Sequence, residues 1–157
     1  MSKTLIYPGT FDPFTLGHLD LAERACRIAD RVVIAVAEHS GKNTLFSLAE
    51  RCQLVQESCK HLRVEVRPFS GLLINLAAEE QAAMILRGLR SGTDLDYERP
   101  MADLNRRMQP GLEVLFMLPA AELAAISSSL VREIHRLGGD TSALIPPVVQ
   151  RALLDKR

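Results

Sequence analysis

Between Tyr7 and His18 the chain reads Tyr-Pro-Gly-Thr-Phe-Asp-Pro-Phe-Thr-Leu-Gly-His. A short apolar strand, Thr4–Tyr7, leads into this stretch, and an amphipathic helix opens near His18. A strand that passes through a Gly- and Pro-rich loop into a helix is the opening unit of an α/β sheet. Gly9 and Gly17 have no Cβ, so the backbone can approach a ligand closely there. Pro8 and Pro13 stiffen the loop. The helix start directs unbonded N–H groups, and the positive end of its dipole, into the same space. His18 adds a donor beside them. These features make a phosphate site at the end of the first strand. Turn punctuation also explains isolated Gly and Pro near a strand end. The length and order of the string favour the site.

The rest of the chain repeats the strand–helix alternation with no break in composition. Leu19, Ala22, Ala25, Cys26 and Ala29 trace one helical face over His18–Ala29. Arg31–Ala37 is a continuous apolar run of the kind buried on both faces of a parallel sheet. Ser47-Leu48-Ala49-Glu50 is a capping box that opens a helix to about Lys60. Val64 and Val66 alternate with charged residues in a third strand that ends near Pro68. The spacing then predicts a helix over Leu72–Gln81, a strand over Ala83–Arg87, an arginine-rich helix from Asp94 to Met108 and a strand over Glu113–Leu118. A helix over Ser128–Leu137 ends at Gly138-Gly139, and Pro146-Pro147 starts a last short one. The predicted fold is α/β: a single-domain (1–157), Rossmann-like, open five-stranded parallel sheet with helices on both faces. Ligands of such sheets bind beyond the carboxyl ends of the strands. Each unusual segment falls on that rim: the first motif, Glu38–Phe46 with Lys42, Ser70–Leu73, Arg87–Arg90 and Pro119–Ser129.

Lysine plus arginine equal aspartate plus glutamate at 19 each, so no global basic field exists. That argues against a dedicated nucleic-acid or membrane-surface protein. No apolar run reaches membrane-spanning length, and no signal-peptide pattern is present, so a cytoplasmic protein is expected. Cys26, Cys52 and Cys59 have no metal-ligand spacing. Cys52 and Cys59 lie two helical turns apart, roughly 10 Å, too far for a disulfide. They read as small buried or half-buried thiols.

Arg87-Gly88-Leu89-Arg90 sets two forked cations around a glycine at a strand end, a pattern suited to phosphate oxygens. The same arginines could instead form ion pairs with Asp94, Asp96 or Glu98. Lys42, in a Gly-Lys-Asn turn, gains significance from its place on the rim. Ile126-Ser127-Ser128-Ser129 caps a helix, and its hydroxyl and N–H groups form a second anion site by the same physics. The chain has no P-loop, dinucleotide fingerprint, zinc signature or nucleophile elbow. Cations and helix starts without a nucleophile fit phosphoryl-type transfer between two bound substrates, driven by positioning and charge stabilisation.

Thr-x-Gly-His after Gly-Thr-Phe-Asp-Pro resembles the signature of the nucleotidylyltransferase superfamily, and Ile-Ser-Ser-Ser resembles its second signature. With Arg87–Arg90, Asp94-Leu95-Asp96-Tyr97-Glu98 and Met101-Ala102-Asp103-Leu104-Asn105-Arg106, the chain is similar to the bacterial phosphopantetheine adenylyltransferases from Tyr7 to about Leu154. The resemblance implies reversible transfer of AMP from ATP to 4′-phosphopantetheine, giving dephospho-CoA and pyrophosphate, the penultimate step of coenzyme A synthesis. It implies Mg2+ with ATP, a homohexamer built as a dimer of trimers, and coenzyme A or dephospho-CoA as inhibitor or product. His18 would hold the ATP phosphates and stabilise the transition state. Lys42 and Arg90 would join it in catalysis. Thr10, Lys42, Leu73 and Arg87 would bind phosphopantetheine. Thr10, Phe11, Gly88, Leu89, Arg90, Glu98 and the segment Leu123, Ala124, Ala125, Ile126, Ser127, Ser128 and Ser129 would surround ATP. No dedicated metal ligands are expected, the ion resting on ATP oxygens and water.

The chain departs from the family's pattern at Ala124 and Ala125, at Gly71 and at Arg99-Pro100. Ala124 and Ala125 stand where relatives carry an aromatic, which bears on the adenine side. Gly71 replaces an acidic residue and is expected to loosen the Leu73 loop. Pro100 sits inside a predicted helix, where proline costs about 3 kcal/mol, so a break or kink is expected near Glu98–Pro100. A superfamily enzyme for nicotinate mononucleotide or one using CTP is the nearest rival. A nucleotide sensor without transfer activity is a rival of another class.

Overall fold

The computed structural model describes residues 2–38 and 43–156. The strands are β1 (Thr4–Gly9), β2 (Arg31–Ala37), β3 (Val64–Phe69), β4 (Met84–Gly88) and β5 (Glu113–Met117). The helices are α1 (Leu16–Ile28), α2 (Leu48–Ser58), α3 (Leu73–Glu79), α4 (Gly92–Met108), α5 (Ser128–Arg136) and α6 (Pro147–Leu154). The strands form one five-stranded sheet in the order β3-β2-β1-β4-β5. Every pairing is parallel, as the uninterrupted apolar runs predict.

The period-2 alternation of β1 and β2 divides the core into two layers. Leu5, Tyr7, Val32, Ile34 and Val36 face one side and pack with Leu21 and Ala25 of α1, Val55 of α2, Val131 of α5 and Leu153 of α6. Ile6, Val33, Ala35 and Ile85 face the other side, against Leu76 and Ala77 of α3. Helix α4 lies on this second side, where Ala102 and Asn105 share a small cavity with Ile85 and Val114. Helices thus cover both faces.

Strand order reverses between β1 and β4. Pairing of β1 with β2 runs to Gly9, and pairing of β4 with β5 runs to Gly88. The β1–β4 ladder holds only Leu5 with Met84 and Ile6 with Ile85. The carboxyl ends of the two strands separate beyond it, and a crevice opens at the switch point.

Several boundaries differ from the sequence expectation. Pro8 and Gly9 belong to β1 rather than to the loop. A proline lacks the N–H for a ladder bond and is tolerated where one strand edge is open, as β1 is beyond Ile6 toward β4. Helix α1 begins at Leu16, two residues before the expected start, because Thr15 caps it. Helix α4 begins at Gly92 and runs without a break through Pro100 to Met108. Of the break or kink expected near Glu98–Pro100, the break is absent. Residues on both sides are strong enough helix formers, with an Arg99–Asp103 pair across the site, to carry the helix over one missing N–H.

Candidate active site

The crevice between β1 and β4 has a volume of about 310 Å³. Tyr7, Pro8 and Gly9 form one wall, Arg87, Gly88, Leu89 and Arg90 the other, and the starts of α1 and α5 close its ends. Phe11, His18, Leu123, Ile126, Ser127, Ser128 and Ser129 complete the lining. No carboxylate takes part.

Helix α1 opens with an unusual capping box. Thr15 is the N-cap, and its side chain accepts from the His18 N–H. The reciprocal bond runs from the Thr15 main-chain N–H to Nδ1 of His18, at 3.0 Å. Position N3 normally carries Glu or Gln; here an imidazole nitrogen takes the role of the carboxylate. Because Nδ1 accepts, the proton of the neutral ring sits on Nε2. The ring stacks on Phe14 and meets Phe11 edge to face. Burial, reinforced by the charge of Arg90, pushes its pKa down to about 4. His18 is therefore a neutral hydrogen-bond donor at physiological pH. Leu16 gives its N–H to Leu144. The Gly17 N–H has no acceptor among the described residues and lies in the crevice lining.

Phe11 supports this ring rather than standing free. It is buried, with a φ of 53°, a left-handed conformation uncommon for a bulky residue. Its ring lies so close to Gly9 that a Cβ there would come within 2.8 Å of it. Only glycine lets β1 pass at that point.

At the start of α5 each serine hydroxyl already has a protein partner. Ser127 accepts from the Leu130 N–H, Ser128 donates to the Pro13 carbonyl, and Ser129 accepts from Arg132. The main-chain N–H groups of Ser128 and Ser129 have no acceptor among the described residues. The donors that this helix start leaves unbonded are thus main-chain groups. Two latches hold this segment in place. Arg132 donates to the Asp12 carbonyl. Asp20 accepts from the Ala120 N–H, while its neighbour Arg24 donates to the Leu118 carbonyl.

The arginines of the β4 end are paired. Arg87 makes a two-pronged bond to Glu98, at 3.0 and 2.6 Å. Asp94 accepts from the Arg90 N–H at 2.8 Å and faces the Arg90 guanidinium at 3.6 Å. The ion-pair alternative for these two residues is therefore what the protein contains. Half of the Arg90 side chain stays exposed at the crevice mouth. Arg87 lines both the crevice and a second, smaller cavity with Glu98, Leu73, Met101 and Asn105. Glu98 and Leu73 thus meet Arg87 across the sheet and away from the crevice. Thr10, Ala124 and Ala125 do not line the crevice either. Thr10 turns its carbonyl to Arg51. Gly71 has a φ of 79°, and a Cβ there would meet nothing within 4 Å. Lys42 lies outside the described residues.

Sequence reading missed three supporting residues. Asp12 is buried, and its carboxylate accepts from the N–H groups of Leu45 and Phe46. Arg51 is buried and bonds main-chain carbonyls. Thr15 is the cap. Only the last had a local signal, the Thr-x-x-His spacing; the partners of Asp12 lie 33 and 34 residues away, and those of Arg51, 5 to 41 residues away, are main-chain carbonyls that no side-chain pattern marks.

The donor set of the site can be tested against magnesium, which prefers oxygen ligands. Among the described residues no group of three His, Cys, Asp or Glu side chains could hold a metal ion, and the crevice lining carries no carboxylate. The described residues offer no cage for the ion. Among the described residues no helix is long and apolar enough to cross a membrane.

Comparison with known proteins agrees with this geometry. A profile of cytidylyltransferase-like proteins matches residues 6–134. The phosphopantetheine adenylyltransferase of Hahella chejuensis is 52% identical over 96% of this chain and 94% of its own. That of Hamiltonella defensa is 49% identical over 98% of this chain and 99% of its own. A solved structure from Vibrio parahaemolyticus, described as a nicotinate-nucleotide adenylyltransferase, superposes with a TM-score of 0.72. It covers 98% of this chain and 99% of its own at 20% identity, a likeness of fold.

Proposed function

The chain belongs to the cytidylyltransferase-like family, and within it to the bacterial phosphopantetheine adenylyltransferases, and on that premise we propose that its crevice transfers the adenylyl group of ATP to 4′-phosphopantetheine. Dephospho-CoA and pyrophosphate are the products, and the reaction is reversible. The observation that carries the reading is one neutral imidazole donor, His18 Nε2–H, beside the unbonded N–H groups of two helix starts in a crevice free of carboxylates.

The chemistry follows from these groups. A phosphate oxygen of 4′-phosphopantetheine attacks the α-phosphorus of ATP, and the bond from that phosphorus to the α,β-bridging oxygen breaks. Charge builds on the equatorial α-phosphate oxygens and on the departing pyrophosphate. Fixed N–H donors placed where charge develops lower the barrier without reorganising. The Gly17 N–H and His18 Nε2–H serve the α-phosphate; Arg90 and the Ser128 and Ser129 N–H groups serve the leaving pyrophosphate. Alignment of two bound phosphates supplies the rest. Thr10, Lys42 and Arg87 hold the attacking phosphate, and Leu73 borders the pantetheine arm. Glu98 acts through Arg87. Phe11, Gly88, Leu89 and the segment Leu123–Ile126 border ATP.

Magnesium, when bound, would be held by the triphosphate oxygens and water rather than by side chains of the described residues, and would supply charge neutralisation. Coenzyme A, a product-like ligand, competes for the same crevice. Helix α4 presents Tyr97, Met101, Leu104 and Met108 along one exposed stripe, 49 to 83% accessible. A contiguous exposed apolar stripe marks an interaction surface, and it supports assembly of the chain with copies of itself, as a hexamer of two trimers. The direct test is pyrophosphate release from ATP with and without 4′-phosphopantetheine, with nicotinate mononucleotide as the alternative acceptor and CTP as the alternative donor. Release that requires 4′-phosphopantetheine and ATP is expected. Release driven by the other substrates overturns the reading.

A further inference from the structure

The crevice wall between β5 and α5 lacks an anchor in the core. None of the residues from Leu118 to Ile126 is buried, and they contain a single 3₁₀ turn, Ala121–Leu123. Within the segment the Leu123 N–H donates to the Ala120 carbonyl, and the Ile126 N–H to the Leu123 carbonyl. Such internal bonds give the turn a shape but not a place. Among the described residues its hydrogen bonds to the rest of the protein run to one helix, α1. The Asp20 carboxylate accepts from the Ala120 N–H at 2.9 Å, and Arg24 Nη1 donates to the Leu118 carbonyl at 2.6 Å. The same Nη1 donates to Asp20 at 3.1 Å, which joins the two side chains into one clamp.

A further contact lies on the same side of the helix: a Cβ on Gly17 would stand 3.7 Å from the Leu123 carbonyl oxygen. Residues three and four apart share a helix face, so Gly17, Asp20 and Arg24 form one stripe along α1. Pro119 and Leu123 line the crevice from the turn that rests on this stripe. Helix α1 thus carries both the Gly17 and His18 donors and the clamp on the opposite wall. We propose that Asp20 and Arg24 are positioning residues: they hold the wall made by Pro119 and Leu123 at a fixed distance from the Gly17 and His18 donors, and so govern affinity for ligands that carry a nucleoside. Neither residue lines the crevice itself. The inference rests on the function proposed above, which borders ATP with Leu123–Ile126. The Asp20 and Arg24 side chains are 20 and 35% exposed, so their removal deletes little packing and the fold should survive.

The test uses D20A, D20N and R24M in the full chain, with circular dichroism to confirm folding. Initial rates in both directions give KM for each ligand. ATP and dephospho-CoA carry adenosine, whereas 4′-phosphopantetheine and pyrophosphate do not. D20A and R24M should raise KM for ATP and dephospho-CoA about fivefold or more, the order of one lost hydrogen bond, and leave KM for the other two within about twofold. D20N should recover part of the loss, because its amide oxygen still accepts from the Ala120 N–H. If D20A or R24M does not fold, D20N decides: a smaller rise confined to the adenosine ligands supports the proposal, and its absence overturns it. An equal rise for all four ligands, no rise for any, a rise confined to 4′-phosphopantetheine, or unfolding of all three variants overturns it and leaves the clamp a fold element only. Failure of the unaltered protein to turn over ATP with 4′-phosphopantetheine overturns the proposed function, and this inference with it; normal turnover there with unaltered variants overturns this inference alone.

Discussion

The main-chain N–H of Thr15 donates to Nδ1 of His18 at 3.0 Å, and this single bond decides which face of the imidazole can act on a substrate. With Nδ1 occupied, the ring offers only Nε2–H. His18→Ala removes one preorganised donor and should lower kcat by about 10²–10³, with ATP affinity nearly unchanged. Near-normal turnover in a folded His18→Ala protein would exclude the role. Because the ring is already neutral well above pH 4, turnover between pH 6 and 8 should show no inflection that disappears in His18→Gln.

The same ring makes stability depend on pH. Its pKa falls from 6.5 in the unfolded chain to about 4 in the folded protein. The unfolded chain therefore binds the proton first, and stability is lost as pH drops from about 6.5 toward 4. The loss reaches up to about 3 kcal/mol. Denaturant titrations of the unaltered protein and His18→Gln at pH 7 and pH 4.5 should diverge, the former losing more. Parallel pH dependence in the two proteins would contradict the burial of a neutral imidazole.

Arg87 and Glu98 should behave as one unit. Arg87→Ala should raise KM for 4′-phosphopantetheine about tenfold or more, and KM for ATP much less, since a charged hydrogen bond of this kind is worth roughly 1.5–3 kcal/mol. Glu98→Gln keeps the shape but releases the two-pronged bond that aims the guanidinium. It should shift the same KM by a smaller factor. A Glu98→Gln effect confined to ATP would show that the two side chains serve different substrates.

The sheet was legible because its evidence is local. Val32–Val36 declares a strand buried on both faces, and the Gly9–His18 string declares a strand-to-helix turn. The Arg87–Arg90 pattern placed two cations on the rim, but their ion pairs were open, because the register of α4 against the β4 end decides whether Asp94, Asp96 or Glu98 meets them. Pro100 leaves α4 unbroken for a related reason. Helix propensity prices one residue, whereas a seventeen-residue helix anchored by Ala102 and Asn105 distributes the defect. Asp12 and Arg51 were invisible, since the partners of Asp12 lie 33 and 34 residues away and those of Arg51 are main-chain carbonyls, the farthest 41 residues away.

Assembly should depend on the α4 stripe. Met101→Glu together with Leu104→Glu puts two charges on an exposed apolar face without touching the core, so the fold should survive. Sedimentation velocity is expected to show a hexamer for the unaltered chain and a smaller species for the double variant. An unchanged distribution would place the interface elsewhere.

The final expectation concerns the reaction path. The crevice lining offers donors, two guanidinium groups and the hydroxyls of Tyr7, Thr15, Ser127, Ser128 and Ser129, and each serine hydroxyl already bonds a protein partner. The one of these hydroxyls beside a base, buried Thr15 Oγ1 at 3.2 Å from His18 Nδ1, is taken up as the α1 cap by the His18 main-chain N–H, and Nδ1 also accepts the Thr15 main-chain N–H. Phosphopantetheine should therefore attack the α-phosphorus directly, in line with the departing pyrophosphate, in one displacement. A single displacement inverts configuration at phosphorus. ATP carrying a chiral α-phosphorothioate should give dephospho-CoA of inverted configuration, and protein incubated with ATP and magnesium alone should show no added AMP by intact-mass spectrometry. Retained configuration, or an AMP adduct that passes to 4′-phosphopantetheine, would mean that a side chain of this crevice becomes adenylylated and that the donors serve two displacements rather than one.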